Sequence, residues 1–173
     1  MSKLLVVVDM QNDFVDGSLG SKEAQAIVPA LVRKTREEIL AGTDVVFTRD
    51  THQANYLETQ EGKKLPVLHC IKDSEGWNLI PQLRPLAEDR TIINKNAFGS
   101  TMLAHYVSKN SFTEVELIGL CTDICVISNA MIIKAAAPEA VVRVYASCCA
   151  GVTAKSHLNA LEAMKMCQIE IAD

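Results

Sequence analysis

The chain has 173 residues, of which 49% are apolar and 22% charged. That is the length of one domain, with too many apolar side chains for a disordered segment. Seventeen Lys and Arg against 21 Asp and Glu leave a net charge of -4, too little to draw the chain to phosphate backbones or anionic lipid, so neither nucleic acid nor a membrane is expected as a partner.

Lys3 to Val8 reads as a strand with apolar residues on both faces, as a covered parallel strand requires. Its apolar run ends at Asp9, too short for a signal peptide, and nothing approaches the ~20 apolar residues of a membrane span. Ile27 to Leu40 has helical spacing and is ended by Ala41-Gly42. Asp44 to Thr48 is the next strand. Residues 50 to 90 are rich in loops, broken by Gly62, Pro66, Gly76, Pro81 and Pro85. There follow a strand at Thr91 to Asn94, a helix at Thr101 to Lys109 and a buried strand at Glu114 to Leu120. A helix from Asp123 to Ala137 is stopped by Pro138, and a strand at Val141 to Ala146, a helix at Thr153 to Met166 and a strand at Gln168 to Ile171 complete the pattern. This alternation predicts an α/β fold: one domain over 1–173, a three-layer, doubly wound parallel sheet with helices on both faces.

Ligands of such sheets bind beyond the carboxyl ends of the strands. The residues falling there are Asp9, Asp50 and His52, Lys95, and the segment Cys121 to Cys125. Cys125 is expected in the first turn of a helix capped by Thr122 or Asp123, where free N–H groups favour a thiolate and can receive an oxyanion. On position alone it is equally a small buried hydrophobe. Asp9 is either a partner for the thiol or a cap on the next turn, and Lys95 either a cation holding both anions or an ordinary surface lysine. Together the three make a nucleophile, a proton acceptor and a stabilising cation.

Val8-Asp9-Met10-Gln11-Asn12-Asp13-Phe14 with Gly17-Ser18-Leu19, then Lys95 with Phe98 and Ser100, then Gly119 to Val126, run in order along the chain. In this the sequence resembles the isochorismatase-like cysteine hydrolases, and within them the nicotinamidase/pyrazinamidase branch. The resemblance implies an isochorismatase-like fold and a catalytic triad of Asp9, Lys95 and Cys125. It also implies a cis peptide bond before Cys121 and an oxyanion hole built from the backbone N–H groups of Cys121 and Cys125. Family members often carry a smaller residue where Cys121 stands. The implied reaction is hydrolysis of nicotinamide to nicotinate and ammonia through a thioester, a step of NAD salvage.

Asp50 and His52 point to one side of an extended segment, and His69 returns after a loop that carries Glu58 and Glu61. Two histidines with carboxylates suit one divalent metal ion, Zn, Fe or Mn, although both histidines would equally serve as solvated loop residues. The resemblance implies metal ligation by Asp50, His52, His69 and Glu61, with Glu58 as the other choice, beside the triad and in contact with the substrate's ring nitrogen. Leu65-Pro66-Val67-Leu68 departs from the branch, which often has an aromatic residue and paired prolines before the last histidine.

Phe14 and Phe98 flank the rim as core residues or as walls for a flat ring, and Trp77 is expected at the mouth. His105 and His157 are expected on surfaces, Cys167 in the core, and Cys70 packed or near the metal. Six cysteines without the even spacing of a disulfide framework point to a reducing cytoplasm. A homo-oligomer is expected, with Met131-Ile132-Ile133 as one surface for it. The rival functions are a metal-independent amidohydrolase for another small carboxamide, carbamoyl or ureido compound, and a non-catalytic binding protein on the same fold.

Overall fold

The computed structural model describes residues 2–173. Six strands, β1 (Lys3–Val8), β2 (Asp44–Asp50), β3 (Thr91–Lys95), β4 (Glu114–Leu120), β5 (Val141–Ala150) and β6 (Glu170–Ala172), form one sheet in the order β3-β2-β1-β4-β5-β6. Every neighbouring pair is parallel. The helices are α1 (Asn12–Val15), α2 (Lys22–Leu40), α3 (Gln60–Lys64), α4 (Arg84–Ala87), α5 (Thr101–Asn110), α6 (Ile127–Ala136) and α7 (Ala154–Met166).

The doubly wound layering follows from β1. Leu4, Val6 and Val8 pack with Leu103, Ile133 and Leu161 of α5, α6 and α7, while Leu5 and Val7 pack with Ile27 and Leu31 of α2. All five strand residues are fully buried, each worth about 1.5–3 kcal/mol of transfer free energy. The strand order reverses between β1 and β4, so the crevice at their carboxyl ends is the switch point where such sheets bind ligands.

Gly119 makes that crevice. Its φ is +122°, and a Cβ there would lie 2.1 Å from the Val8 carbonyl oxygen, so only glycine lets β4 approach β1 this closely. Asp9 and Cys121 leave the sheet on either side of this contact.

Four departures from the sequence pattern have local causes. Helix α2 begins at Lys22, before the apolar stripe starts, because the Ser21 hydroxyl accepts the Ala24 N–H at 3.0 Å. The predicted helix from Asp123 begins instead as a π-helical turn over Thr122–Val126 and becomes α6 only at Ile127. Strand β5 runs on to Ala150: its register with β4 steps from Leu117↔Val144 to Gly119↔Cys149, a bulge that returns the strand to the sheet beside the crevice. Gln168 has φ 62°, a left-handed conformation no strand residue adopts, so β6 starts at Glu170. Among the described residues no helix is long and apolar enough to cross a membrane.

Candidate active site

Asp9, Lys95 and Cys125 meet at the carboxyl ends of β1, β3 and β4. Lys95 Nζ lies 2.6 Å from Asp9 Oδ2 and 3.4 Å from Cys125 Sγ. It also donates to the Ala97 carbonyl at 3.1 Å and lies 3.5 Å from Asp50 Oδ1. Thr48 of β2 donates to Asp9 Oδ1 at 2.6 Å and accepts the Asp9 N–H at 3.2 Å, which fixes the carboxylate where a left-handed φ of 48° has turned it out of the strand. The Lys95 contact to Oδ2 is an ion pair rather than an aligned hydrogen bond, so this oxygen keeps a lone pair for a proton. Asp9 caps no helix: α1 starts at a Gln11 N-cap with no side-chain bond.

Burial sets the protonation of the group. It pushes the Asp9 carboxyl up against the opposing pull of the Lys95 charge. It likewise pushes the Cys125 thiol well up, helped by the Asp9 charge and opposed by Lys95. Burial alone would lower the Lys95 ammonium, but Asp9, Cys125 and Asp50 outweigh it and keep the lysine charged. Lys95 Nζ touches both Asp9 Oδ2 and Cys125 Sγ, which gathers the carboxylate and the sulfur around one cation, an arrangement suited to passing a proton from sulfur to carboxylate.

The Leu120–Cys121 peptide is cis. The Cys121 carbonyl accepts the N–H groups of Ile124 at 3.1 Å and Val126 at 3.0 Å, on either side of Cys125. The sequence suggests that Thr122 or Asp123 caps this turn, but neither does. Thr122 Oγ1 pairs with His157 Nδ1 at 2.7 Å, and the Asp123 carboxylate accepts the Val152 N–H at 3.2 Å. Asn129 of α6 donates to the Cys125 carbonyl at 2.8 Å and to that of Phe98 at 3.1 Å, and accepts the Ser100 N–H at 2.9 Å. One buried amide therefore ties the cysteine turn to the loop after Lys95.

Next to this group, one donor atom from each of Asp50, His52, Glu61 and His69 falls within 4.8 Å of every other. His52 Nε2 is 3.1 Å from Asp50 Oδ2 and 3.7 Å from Glu61 Oε1, and His69 Nε2 is 3.9 Å from both oxygens. His69 Nδ1 is bonded to the Val67 carbonyl at 2.7 Å, which leaves Nε2 as the free donor, as metal-binding histidines require. Although burial would raise Asp50, the His52 hydrogen bond and the Lys95 charge hold its carboxyl low. Two ring nitrogens and two carboxylates converging in this way fit a divalent zinc, iron or manganese ion. Glu58 is exposed on the turn before α3 and stands outside the group, as does buried Cys70.

A cavity of about 1120 Å³ opens above both clusters, with Cys125, Asp50, His52, Glu61 and His69 in its lining. Phe14 and Phe98 both line it, together with Cys121, Leu120 and Ile124. Trp77 does not reach the mouth: it is buried, donates to Thr51 Oγ1 at 2.8 Å and lies under the Arg49 guanidinium. His105 is exposed as expected, whereas His157 is half-buried on Thr122. Cys167 is exposed at the end of α7, not in the core. In the segment expected as an oligomer surface, Ile133 is fully buried in the core, while Met131 and Ile132 are half-buried.

Four supporting residues escape a reading of the sequence. Thr48 orients Asp9. Gln11 accepts the Asp50 N–H at 2.7 Å and donates to the Asp50 carbonyl at 2.9 Å. Tyr56 packs its ring on those of His52 at 4.5 Å and His69 at 4.9 Å. Asn129, which ties the cysteine turn to the Lys95 loop, stands four residues after Cys125, one helical turn away; that spacing is the one signal of this kind in the sequence.

The same architecture occurs in known proteins. The crystal structure of nicotinamidase/pyrazinamidase from Bacillus subtilis superposes with a TM-score of 0.89 at 27% identity, covering 100% of both chains. That of the pyrazinamidase of Pyrococcus horikoshii in complex with zinc gives 0.87 at 28% identity, covering 100% of this chain and 99% of the other. In sequence, an isochorismatase family protein of Bacillus subtilis is 34% identical over 143 residues, 76% of this chain and 78% of that protein. The Isochorismatase domain matches residues 3–173, from the first residue of β1 through the last of the described chain, and the protein belongs to this family.

Proposed function

We propose that this protein is a cysteine amidohydrolase that converts nicotinamide to nicotinate and ammonia. The observation that carries the reading is the meeting of buried Asp9 and Lys95 with Cys125, which lines one cavity together with Asp50, His52, Glu61 and His69. The relatives named for nicotinamide or pyrazinamide hydrolysis supply the substrate class.

Asp9 takes the Cys125 proton while Lys95 balances the charge that develops. The thiolate adds to the carboxamide carbon, and the N–H groups of Cys121 and Cys125 face the oxyanion. The C–N bond breaks, Asp9 returns its proton to the leaving nitrogen, and ammonia departs from a thioester. Asp9 then takes a proton from water as its oxygen adds to the thioester carbon; the C–S bond breaks, Cys125 regains the proton, and nicotinate leaves. Phe14 and Phe98 act as walls for the ring. Asp50, His52, Glu61 and His69 would hold one divalent ion, which would supply Lewis acidity toward the ring nitrogen. Free thiols at Cys70, Cys121, Cys125, Cys148, Cys149 and Cys167 suit the reducing cytoplasm as the site of action.

Ammonia release from nicotinamide by the wild type and by Cys125→Ala tests the assignment. Loss of turnover by about 10³-fold or more is expected, with an acyl adduct on Cys125 detectable by mass spectrometry in rapidly quenched wild type. Unchanged release from Cys125→Ala ends the reading.

The cavity volume favours one second reading, an amidohydrolase for a larger carboxamide, carbamoyl or ureido compound. At about 1120 Å³ it exceeds the range of drug-sized pockets, and nicotinamide is a small ring. A panel of such amides run against nicotinamide, with and without chelator, separates the two.

A further inference from the structure

We propose that His157, at the head of α7, is a positioning residue for the nucleophile turn, acting through Thr122. The proposal rests on the reading of Cys125 as the nucleophile. Thr122 is fully buried, and the partner of its hydroxyl is His157 Nδ1 at 2.7 Å. The imidazole comes from a different element, joined to the turn only through the fold.

His157 is itself held tightly. Its N–H donates to the Thr153 carbonyl at 2.9 Å, in a first turn closed by the reciprocal Thr153–Ser156 capping box. A Cβ at Gly151 would fall within 2.9 to 3.0 Å of the His157 N, Cα and Cβ atoms, so this turn lies directly on the end of β5. The next residue along the nucleophile turn, Asp123, accepts the Val152 N–H from the same corner. The β5–α7 corner therefore grips Thr122 and Asp123, while Asn129 grips the Cys125 carbonyl from α6.

What this grip maintains is the π-helical form of Thr122–Val126, in which the Cys121 carbonyl receives the Ile124 and Val126 N–H groups. π turns are rare, and they frequently lie at functional sites. A buried threonine hydroxyl without an outside partner bonds to nearby backbone instead, which reshapes its turn. Burial, opposed only by the Asp123 charge, lowers the His157 pKa, so the ring is neutral and its Nδ1 can accept the Thr122 hydroxyl proton. Losing this bond frees the turn to tighten and moves the Cys121 and Cys125 N–H groups out of register with the thiol.

The test uses His157→Ala and Thr122→Val in the full-length, metal-loaded protein, with His157→Asn and Thr122→Ser as conservative partners. Each disruptive variant is expected to lower kcat for amide hydrolysis about 10- to 100-fold, while KM stays within about twofold. The double variant should be no worse than the weaker single, because both changes remove one interaction. The alkylation rate of Cys125 by iodoacetamide should change with kcat. His157→Asn places an amide oxygen near the Nδ1 position and should restore much of the rate, as should the hydroxyl kept in Thr122→Ser. Unaltered kcat and alkylation in His157→Ala overturn the proposal. So do additive losses in the double variant, or a loss that follows the melting temperature and is not rescued by the conservative pair. If no amide is turned over but alkylation still responds to these variants, the substrate reading fails and the positioning role stands.

Discussion

Toward the amino ends of β1 and β4 the sheet buries Glu116 among Lys34 at 2.9 Å, Lys3 at 3.1 Å and Arg143 at 3.3 Å; at the carboxyl ends it buries Asp9 against Lys95 and Cys125. In the first cluster partners overcome burial. Burial alone would lower Lys34, yet Glu116 and Glu38 raise it to about 12. Burial alone would raise Glu38, yet Lys3, Thr43 and Lys34 hold it at about 2. Lys34 and Glu38 are driven into their charged forms, and their contacts with Lys3 and Glu116 make a clamp between α2 and the sheet. In the second cluster burial prevails for Asp9 and Cys125, and both are pushed toward their proton-bearing forms beside a lysine that stays charged. Asp9 and Asp50 share the ammonium of Lys95 there, and Glu61 lies across the two histidines from it, an excess of acid that a divalent cation would offset. Three cations answer the buried charge of Glu116 and favour structure, whereas one ammonium answers Asp9 and Asp50 together and leaves that end ready for chemistry.

The largest expected difference is between Asp9→Asn and Glu116→Gln. Asp9→Asn should lower kcat/KM by roughly 10²- to 10⁴-fold in the ammonia assay and move the melting temperature less than Glu116→Gln does, since burial already disfavours the Asp9 charge and Asp50 stays beside Lys95. Glu116→Gln should keep kcat and lose stability, by about 3 kcal/mol for a broken buried ion-pair network, or roughly 6–12 °C in thermal denaturation. A collapse of Asp9→Asn on heating, or an inactive but stable Glu116→Gln, would erase the distinction between the two ends.

Metal removal is the next in size. Stringent chelation, or His69→Ala, is expected to take the bound metal from about one per chain to a small fraction and to lower nicotinamide turnover, with zinc, iron or manganese restoring only the chelated wild type. Elemental analysis alongside the rate measurement checks this. Full activity without metal would leave the triad in place and move the excess acid at the carboxyl ends out of the mechanism.

The legible part of this molecule is the part that strand ends dictate. Once the apolar runs at 4–8, 44–48 and 114–120 are taken as parallel strands, Asp9, Asp50 and Cys121 must emerge on one rim, and Lys95 follows from the shorter run before it. His69 and Glu61 cannot be placed this way, because their loop is positioned by the Tyr56 ring packing against the histidines and by its hydroxyl bonding to the Leu65 carbonyl at 3.0 Å. The nucleophile turn reads as a plain helix start, because Thr122 and Asp123 are good caps locally; His157 and Val152, some 30 residues on, claim both side chains. Trp77 and Cys167 depart from their expected places for the converse reason. An aromatic near a site and a cysteine on an amphipathic helix carry no sign of direction, and here Arg49 covers one while the end of α7 exposes the other.

The finest distinction between the two ends is the sign of their response to acid. A glutamate carboxyl normally titrates near 4.5, and folding holds Glu38 at about 2, so its contribution is present above the first value and is lost as pH falls toward the second. Glu38→Gln should therefore be less stable than wild type at pH 7 and should lose less on acidification through that window. Asp9 has the opposite sign: its folded form titrates above the ordinary 3.8, so the proton it gains in acid favours the native state, and Asp9→Asn forfeits that gain. Denaturant midpoints taken at neutral pH and again near 3 should converge on wild type for Glu38→Gln and fall further below it for Asp9→Asn. Parallel curves for the two variants would mean that the carboxylates at the two ends of the sheet are answered alike, and the physical basis for assigning one to structure and the other to proton transfer would be gone.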